Sequence, residues 1–126
     1  MIYFDESNEK FSEFLKENPG YGYLKVRTSM ASEAMPLKGV HILVSLTYKD
    51  EDIIFFDGFT NESGIVEKIK LPTPILDDNN LIKPKKITYV VTVEYKDFIS
   101  SYNISMYEGV CTNQNINIPF EVANGY

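Results

Sequence analysis

The sequence predicts an all-β fold, a seven-stranded Greek-key β-sandwich that carries a short N-terminal helix. From residue 22 onward, apolar and polar residues alternate with a period of two in several short runs, the pattern of half-buried strands. Turn residues separate these runs about every 8 to 15 positions, as they do in β-sandwiches. The chain also holds 9 Tyr and 8 Phe residues, and aromatic residues favour strands.

The chain of 126 residues is the size of one domain. We divide it into a helical segment at residues 1–20, a β-sandwich domain at 21–120 and a C-terminal tail at 121–126, which we expect to be frayed or a linker. A domain of this size buries enough surface to fold without a metal or a disulfide. Cys111 stands alone, which fits a reducing compartment or a small buried hydrophobic residue.

The formal net charge of -6 and the pI near 4.7 argue against nucleic acid and anionic membranes as partners, since both attract basic surfaces. The first residues lack the basic start and apolar core of a signal peptide. No apolar run reaches the roughly 18 residues of a membrane span. We therefore expect no membrane insertion and a cytoplasmic location.

The N-terminal segment predicts a short helix. Asp5 or Ser7 is a suitable cap, and Phe11, Phe14 and Leu15 fall on one face, a stripe that Phe4 extends if the helix starts early. Asn18-Pro19-Gly20 ends the helix. Since so short a helix is marginal alone, its stripe must pack on this domain or on a neighbour.

The strands follow from residue 22. In the first, Leu24 and Val26 point to one face while Lys25 and Arg27 point to the other. The predicted strands begin at Gly22 and then span Val40–Thr47, Ile53–Thr60, Ile65–Leu71, Ile87–Tyr95, Phe98–Tyr107 and Thr112–Phe120.

The best-marked hairpin lies between Phe55 and Pro74. Thr60 and Asn61 are expected to bond their own backbone around the bend, and Gly64 supplies a positive φ. Leu71-Pro72 ends the second strand, where no ladder N–H is needed. These roles are structural, so the hairpin indicates a fold rather than a chemistry.

Residues 72–86 form the longest irregular segment, which is either a binding loop or a crossover between sheets. The possible binding loop comprises Ile75, Leu76, Asp77, Asp78, Asn79, Asn80 and Leu81. Its Asp77, Asp78 and Asn79 are weak calcium candidates, because calcium prefers oxygen ligands, but their spacing is not that of an EF-hand. The acidic turn at residues 50–52 is a second, weaker set, and we expect no bound metal or cofactor.

No residue falls in a recognisable catalytic motif, so we expect no enzyme activity. His41 is the single histidine and lies on the outward face of its predicted strand, which favours a surface or edge role. Cys111 lies at a strand entry, and a Cys–His pair requires it to lie near His41. The tyrosines either stack on sugar rings or pack in the core and across strands; those considered are Tyr21, Tyr48, Tyr102 and Tyr107.

The order of these motifs resembles the transthyretin-like, or carboxypeptidase-regulatory-like, β-sandwich, also called prealbumin-like. The resemblance rests on a Gly-Tyr-Leu-Lys-Val strand, a Pro-Leu-x-Gly-Val segment at 36–40, the Thr60–Gly64 turn and an aromatic-x-Val-x-Val strand from Tyr89. The sequence departs from the family at Asn61, where Asp is usual, and at residues 96–98, where Gly-Tyr is usual. These departures weaken an assignment to the carboxypeptidase branch.

A closer likeness is to domains of clostridial proteins that are linked to peptidoglycan and the spore cortex. The matching stretches are Phe14–Val26, Thr60–Pro74 and, in part, Ile104–Pro119, so the likeness spans about residues 11 to 120. Such domains resemble accessory modules beside peptidoglycan-binding or cortex-lytic domains. The resemblance therefore implies a spore-associated location as an alternative to the cytoplasm.

Three functions follow as hypotheses. The first is a non-catalytic accessory module that contacts another protein domain, peptidoglycan or spore-cortex glycan. The second is a pro-segment-like interaction domain of a larger cortex-lytic or peptidoglycan-binding protein, which docks through the apolar stripe of the helix. The third is a small transthyretin-like hydrolase, a branch that depends on several histidines, whereas this chain has one. The oligomeric state stays open.

Overall fold

The computed structural model describes residues 1–30, 35–75 and 85–119. These residues form two β-sheets packed face to face, with one short helix at the N-terminal end. The strands are β1 (Ile2–Tyr3), β2 (Gly20–Met30), β3 (Met35–Pro36), β4 (His41–Tyr48), β5 (Glu51–Phe59), β6 (Ile65–Thr73), β7 (Ile87–Tyr95), β8 (Phe98–Met106) and β9 (Cys111–Asn117). The all-β sandwich is thus confirmed.

The number of strands is a correction, because the described residues form nine where the sequence predicts seven. The seven predicted strands correspond to β2 and to β4 through β9. The two additional strands have two residues each, too short to show any alternation in sequence. They form because β1 pairs in parallel with β5, and β3 pairs with the end of β2.

The two sheets enclose one core. The first sheet has the strand order β1-β5-β4-β7-β8; the second has the order β3-β2-β6, and β9 pairs in parallel with β2. Alternate residues of both sheets point inward, so that Leu24, Val26, Val91 and Ile116 are almost fully buried. Within the described part of the chain, no helix has the length and apolar character needed to cross a membrane.

The helix consists of a 3₁₀ turn at Glu9–Phe11 followed by α1 (Ser12–Glu17). Its cap is Asn8, whose side chain accepts a hydrogen bond from the backbone N–H of Lys10 at 2.9 Å, so the predicted caps are wrong. Asp5 instead accepts from the backbone N–H and hydroxyl of Ser7, and these bonds lower the pKa of Asp5. Asp5 therefore stabilises a local turn with Ser7 and does not cap the helix.

The predicted apolar stripe packs on the chain's own sandwich. Phe11 and Phe14 are buried, whereas Leu15 is half-buried. The Phe14 ring lies 5.6 Å from the Phe55 ring and 5.1 Å from the Tyr48 ring. Because the stripe is covered within the chain, the helix offers no free apolar face to a neighbouring domain.

The hairpin turn after β5 has the predicted roles for Asn61 and Gly64. The prediction that Thr60 bonds its own backbone around the bend is wrong, because its hydroxyl bonds the segment before β4. The Thr60 hydroxyl donates to the Leu37 carbonyl at 2.8 Å and accepts from the Val40 N–H at 3.0 Å. The Asn61 side chain accepts from the backbone N–H groups of Ser63 and Ile65. Gly64 has a φ of 73°. These contacts fix the turn against the segment that precedes β4.

Strand β6 runs on through Pro72 to Thr73, so its predicted end at Leu71 is a correction. Proline is accepted here because β6 pairs only with β2 among the described residues and lies at the edge of its sheet. The Pro72 carbonyl accepts a 2.6 Å hydrogen bond from the Tyr89 hydroxyl, which links the two sheets through the core.

Because Tyr89 is buried, we predict that the folded protein becomes less stable at high pH. Its buried phenol has a pKa raised mainly by burial, above the unfolded value near 10. A folded pKa above the unfolded one gives stabilisation that is complete below about pH 10 and declines at higher pH. We expect urea denaturation to show a smaller free energy of unfolding at about pH 11 than at about pH 8, with a weaker decline in Tyr89→Phe.

The Tyr89→Phe comparison isolates this residue, because lysine deprotonation and the raised pKa values of Tyr21 and Tyr48 affect both proteins alike. The variant itself loses about 1 kcal/mol at neutral pH through the missing hydrogen bond. An identical alkaline decline in both proteins contradicts the prediction.

Candidate functional site

The outer face of the second sheet carries a cluster of basic, amide and tyrosine side chains. Strand β2 builds it by alternation, since Leu24 and Val26 are buried while Lys25 and Arg27 point outward, as predicted. We call this surface the basic face; its members are Tyr21, Tyr23, Lys25, Arg27, Lys68, Lys70, Asn113 and Asn115.

Parallel pairing between β2 and β9 places amides beside cations. Lys25 lies opposite Asn113, and Arg27 lies opposite Asn115. Since neighbouring strands lie about 4.8 Å apart, each pair offers a cation and an amide to the same ligand group. The four side chains line a shallow cavity of about 220 Å³.

A β-bulge in β6 adds a further cation to the basic face. The pairing of β2 with β6 shifts between Leu24 and Val26, and Lys68 has a φ of 47°, in the left-handed region. The extra residue leaves both Glu67 and Lys68 exposed while Val66 and Ile69 stay buried. A lysine with positive φ is strained, and such strain is often kept where it positions a side chain for binding.

The basic face is rich in positive charge, whereas the whole chain is negatively charged. Four of the 12 lysines and arginines project from it, although the net charge is -6. Lys25 has a long 3.8 Å contact with Glu67, and the Lys70 ammonium lies 4.0 Å from the centre of the Tyr21 ring. Arg27 forms no ion pair or side-chain hydrogen bond with any described residue. The guanidinium is therefore available to a ligand.

Tyr21 anchors one end of the basic face. Its hydroxyl donates a 3.0 Å hydrogen bond to Glu6, and burial, followed by this bond, raises the pKa of Tyr21. Tyr23, two residues further along β2, is 38% exposed. The arrangement can hold carboxylates through its cations and hydroxyl groups through its amides, and it can stack on a sugar ring.

His41 lies on the outer face of the other sheet. Its Nε2 is 2.5 Å from the Asp57 carboxylate, which also accepts a 3.2 Å hydrogen bond from the Tyr3 hydroxyl. The bond to His41 is the main cause that lowers the pKa of Asp57. This cluster ties β1 to β5 and β4, in agreement with the surface role expected for the histidine.

Cys111 begins β9 as an exposed residue of the second sheet, so it does not fill the core. The two reactive residue types therefore occupy outer faces of different sheets, and they form no Cys–His pair.

The remaining predicted residues are dispersed. Ile75 is 45% exposed, and residues 76–81 of the possible binding loop, with the calcium candidates, lie outside the described residues. In the acidic turn, Asp52 accepts a 2.7 Å hydrogen bond from Thr47. Among the described residues, no group of three or more His, Cys, Asp or Glu side chains is placed to hold a metal ion. Of the four tyrosines considered, Tyr48 holds the helix, Tyr102 packs against the core and Tyr107 is half-buried directly after β8. Tyr21 lies on the basic face.

Sequence reasoning placed binding in the loop after the hairpin or on the outer faces of the sheets, but it did not identify the residues of the basic face. The alternation revealed that Lys25 and Arg27 point outward, but the partner strand was not predictable from it. The paired residues of β9 lie 88 positions further along the chain, as Lys25 and Asn113 do, and no local pattern indicates such a pairing. The one available signal is the alternating run of asparagines at positions 113, 115 and 117.

Comparison with known proteins identifies the fold. No family model and no curated protein matches the chain. Among solved structures, 5-hydroxyisourate hydrolase of Klebsiella pneumoniae is similar over 78% of this chain and 90% of its own, with 15% identity and a TM-score of 0.53. Transthyretin from Sparus aurata is similar over 75% and 90%, with 16% identity and a TM-score of 0.49. The chain therefore has the transthyretin-like, or prealbumin-like, β-sandwich fold that its sequence motifs predict.

Proposed function

We propose that the protein is a non-catalytic binding module whose basic face holds an anionic glycan of the cell-wall type, such as peptidoglycan or spore cortex. The observation that carries the proposal is the concentration of cations, amides and tyrosines on one sheet face of an acidic chain. Peptidoglycan offers matching groups, since its peptide stems carry carboxylates and its sugars carry hydroxyl groups.

The mixture of groups favours a glycan over other anions. Arg27 and Lys25 pair with carboxylates, while the Asn113 and Asn115 amides donate to and accept from hydroxyl groups. An open, shallow surface suits a polymer that lies along the strands. Nucleic acid is disfavoured because the acidic remainder of the chain repels a densely charged backbone.

The alternatives have less support. The interaction-domain hypothesis relied on a free helix stripe, and Phe11 and Phe14 are buried against the chain's own strands. The fold alone does not decide catalysis, because one similar structure is a 5-hydroxyisourate hydrolase. A hydrolase is disfavoured here since His41 is engaged by Asp57 and lies on the sheet opposite Cys111.

The proposal predicts a charge-dependent interaction with insoluble peptidoglycan. In a sedimentation assay, we expect the wild-type protein to bind, and Lys25→Glu/Arg27→Glu to weaken the affinity about tenfold or more, since each lost charge-assisted contact is worth about 1.5 kcal/mol or more. Raising the salt concentration from about 50 to 500 mM should weaken wild-type binding and affect the variant less.

A matched control is Lys16→Glu/Lys38→Glu, which changes the net charge equally at exposed positions that are not members of the basic face. This control should retain most of the binding. Equal losses in both variants, or stronger competition by single-stranded DNA than by soluble glycan fragments, contradict a glycan site on the basic face. Release of soluble products from peptidoglycan by the wild-type protein contradicts the non-catalytic assignment.

A further inference from the structure

A second cavity lies between the helix and the β4–β5 turn and shares no lining residue with the basic face. Its volume is about 180 Å³. The apolar part of its wall is formed by Ile2, Phe11 and Ile53, of which the last two are almost fully buried. The opposite side is the Lys49–Asp50 turn, where both residues adopt positive φ and reverse the chain tightly.

The cavity is held in shape by contacts on both sides. The Tyr48 hydroxyl donates a 2.8 Å hydrogen bond to Glu17 of α1, and burial followed by this bond raises the pKa of Tyr48 to about 12. The Lys49 ammonium forms an ion pair with Glu13 of α1. These two contacts join the turn to the helix, so the cavity exists without a ligand.

Two charged groups in the wall of this cavity are unused. Lys10 and Glu51 both line it, yet neither forms an ion pair or a side-chain hydrogen bond with any residue that the structure describes. They do not pair with each other, so both charges are open to a ligand in the cavity. Glu51 is half-buried, so its unpaired carboxylate is more costly than one in open water.

We propose that this cavity binds a small zwitterion, specifically a free α-amino acid with an apolar side chain. Lys10 pairs with the ligand carboxylate and Glu51 with the ligand ammonium, while the ligand side chain contacts Ile2 and the small parts of Phe11 and Ile53 that reach the cavity. Opposite unpaired charges favour a zwitterion over a simple anion, because an anion leaves Glu51 unpaired. The size is adequate, since an apolar cavity of about 150 Å³ accommodates benzene.

The test is a titration of the full chain with L-leucine, followed by heteronuclear NMR of the backbone amides. We expect shifts confined to the helix, β1 and the β4–β5 turn. N-acetyl-leucine lacks the ammonium and leucinamide lacks the carboxylate, so each should bind about tenfold more weakly or worse. Equal binding of all three ligands, or no shift at millimolar leucine, overturns the proposal.

Substitutions of Lys10 and Glu51 test which group of the ligand each residue binds. Lys10→Met should weaken leucine binding about tenfold. It should leave the weak binding of leucinamide unchanged, because leucinamide has no carboxylate for Lys10 to pair with. Glu51→Gln should likewise weaken leucine binding about tenfold, and it should leave the weak binding of N-acetyl-leucine unchanged, because that ligand has no ammonium for Glu51 to pair with. Lys16→Met changes an exposed lysine of α1 outside the cavity and should bind like the wild type. Leucine binding that is unchanged in both Lys10→Met and Glu51→Gln overturns the assignment.

Discussion

Replacing Phe14 by alanine should lower the free energy of unfolding by about 3 to 4 kcal/mol, a large part of the stability of a domain of this size. The side chain is 1% exposed and contacts the rings of Phe4, Tyr48 and Phe55. Its removal leaves a cavity that these rings can fill only in part. The ring of Phe55 in turn meets the core ring of Tyr89 edge-on at 5.0 Å, so the defect reaches the sandwich itself.

The comparison is with Leu15→Ala, the neighbouring stripe residue, which is half-buried and should lose about 1 kcal/mol. Urea denaturation monitored by circular dichroism measures both values, and the two variants should keep the wild-type denaturant slope if unfolding remains two-state. Similar small losses in both variants contradict the view that the N-terminal segment is an integral part of the sandwich core.

This stripe also illustrates what can be predicted from sequence. The spacing of Phe11 and Phe14 reveals the buried face of a helix because the pattern is local and has the helical period. The true cap was not predicted, since several capping residue types occur between positions 5 and 8 and each is locally suitable. Choosing among them depends on where the strand before the helix pairs, which is a tertiary contact.

The faces of the strands were predictable for the same reason, and the candidate site was predictable only in part. Alternation assigned Lys25 and Arg27 to the surface correctly. The amides beside them and the exposed Lys68 depend on strand pairing across the sheet and on a bulge, neither of which leaves a period in the sequence. Local composition instead favours residues 75–81 as a binding loop, because consecutive Asp and Asn residues are distinctive there.

The second large effect is expected at Gly64, the last residue of the hairpin turn. A Cβ at this position would lie 2.4 Å from the Thr28 carbonyl oxygen and 3.0 Å from the Leu37 backbone nitrogen. Both obstacles are backbone atoms, so no side-chain rotation relieves the clash. Gly64 also has positive φ, which costs alanine about 1 kcal/mol or more. Gly64→Ala should therefore lose about 3 to 4 kcal/mol in total.

The matched control is Gly109→Ala, because Gly109 has nearly the same φ, 72°, and an added Cβ meets no atom within 4 Å. This variant isolates the conformational cost of alanine and should lose only about 1 kcal/mol. The difference between the two variants measures the close approach of the turn to β2, where the Thr28 N–H donates to the Gly64 carbonyl at 2.7 Å. Equal losses of unfolding free energy in Gly64→Ala and Gly109→Ala contradict the predicted clash, because the cost of positive φ then accounts for the whole effect. If the loss at Gly64 is larger, the difference is the cost of placing a Cβ against the backbone of Thr28 and Leu37, which explains why this turn requires glycine for a structural reason.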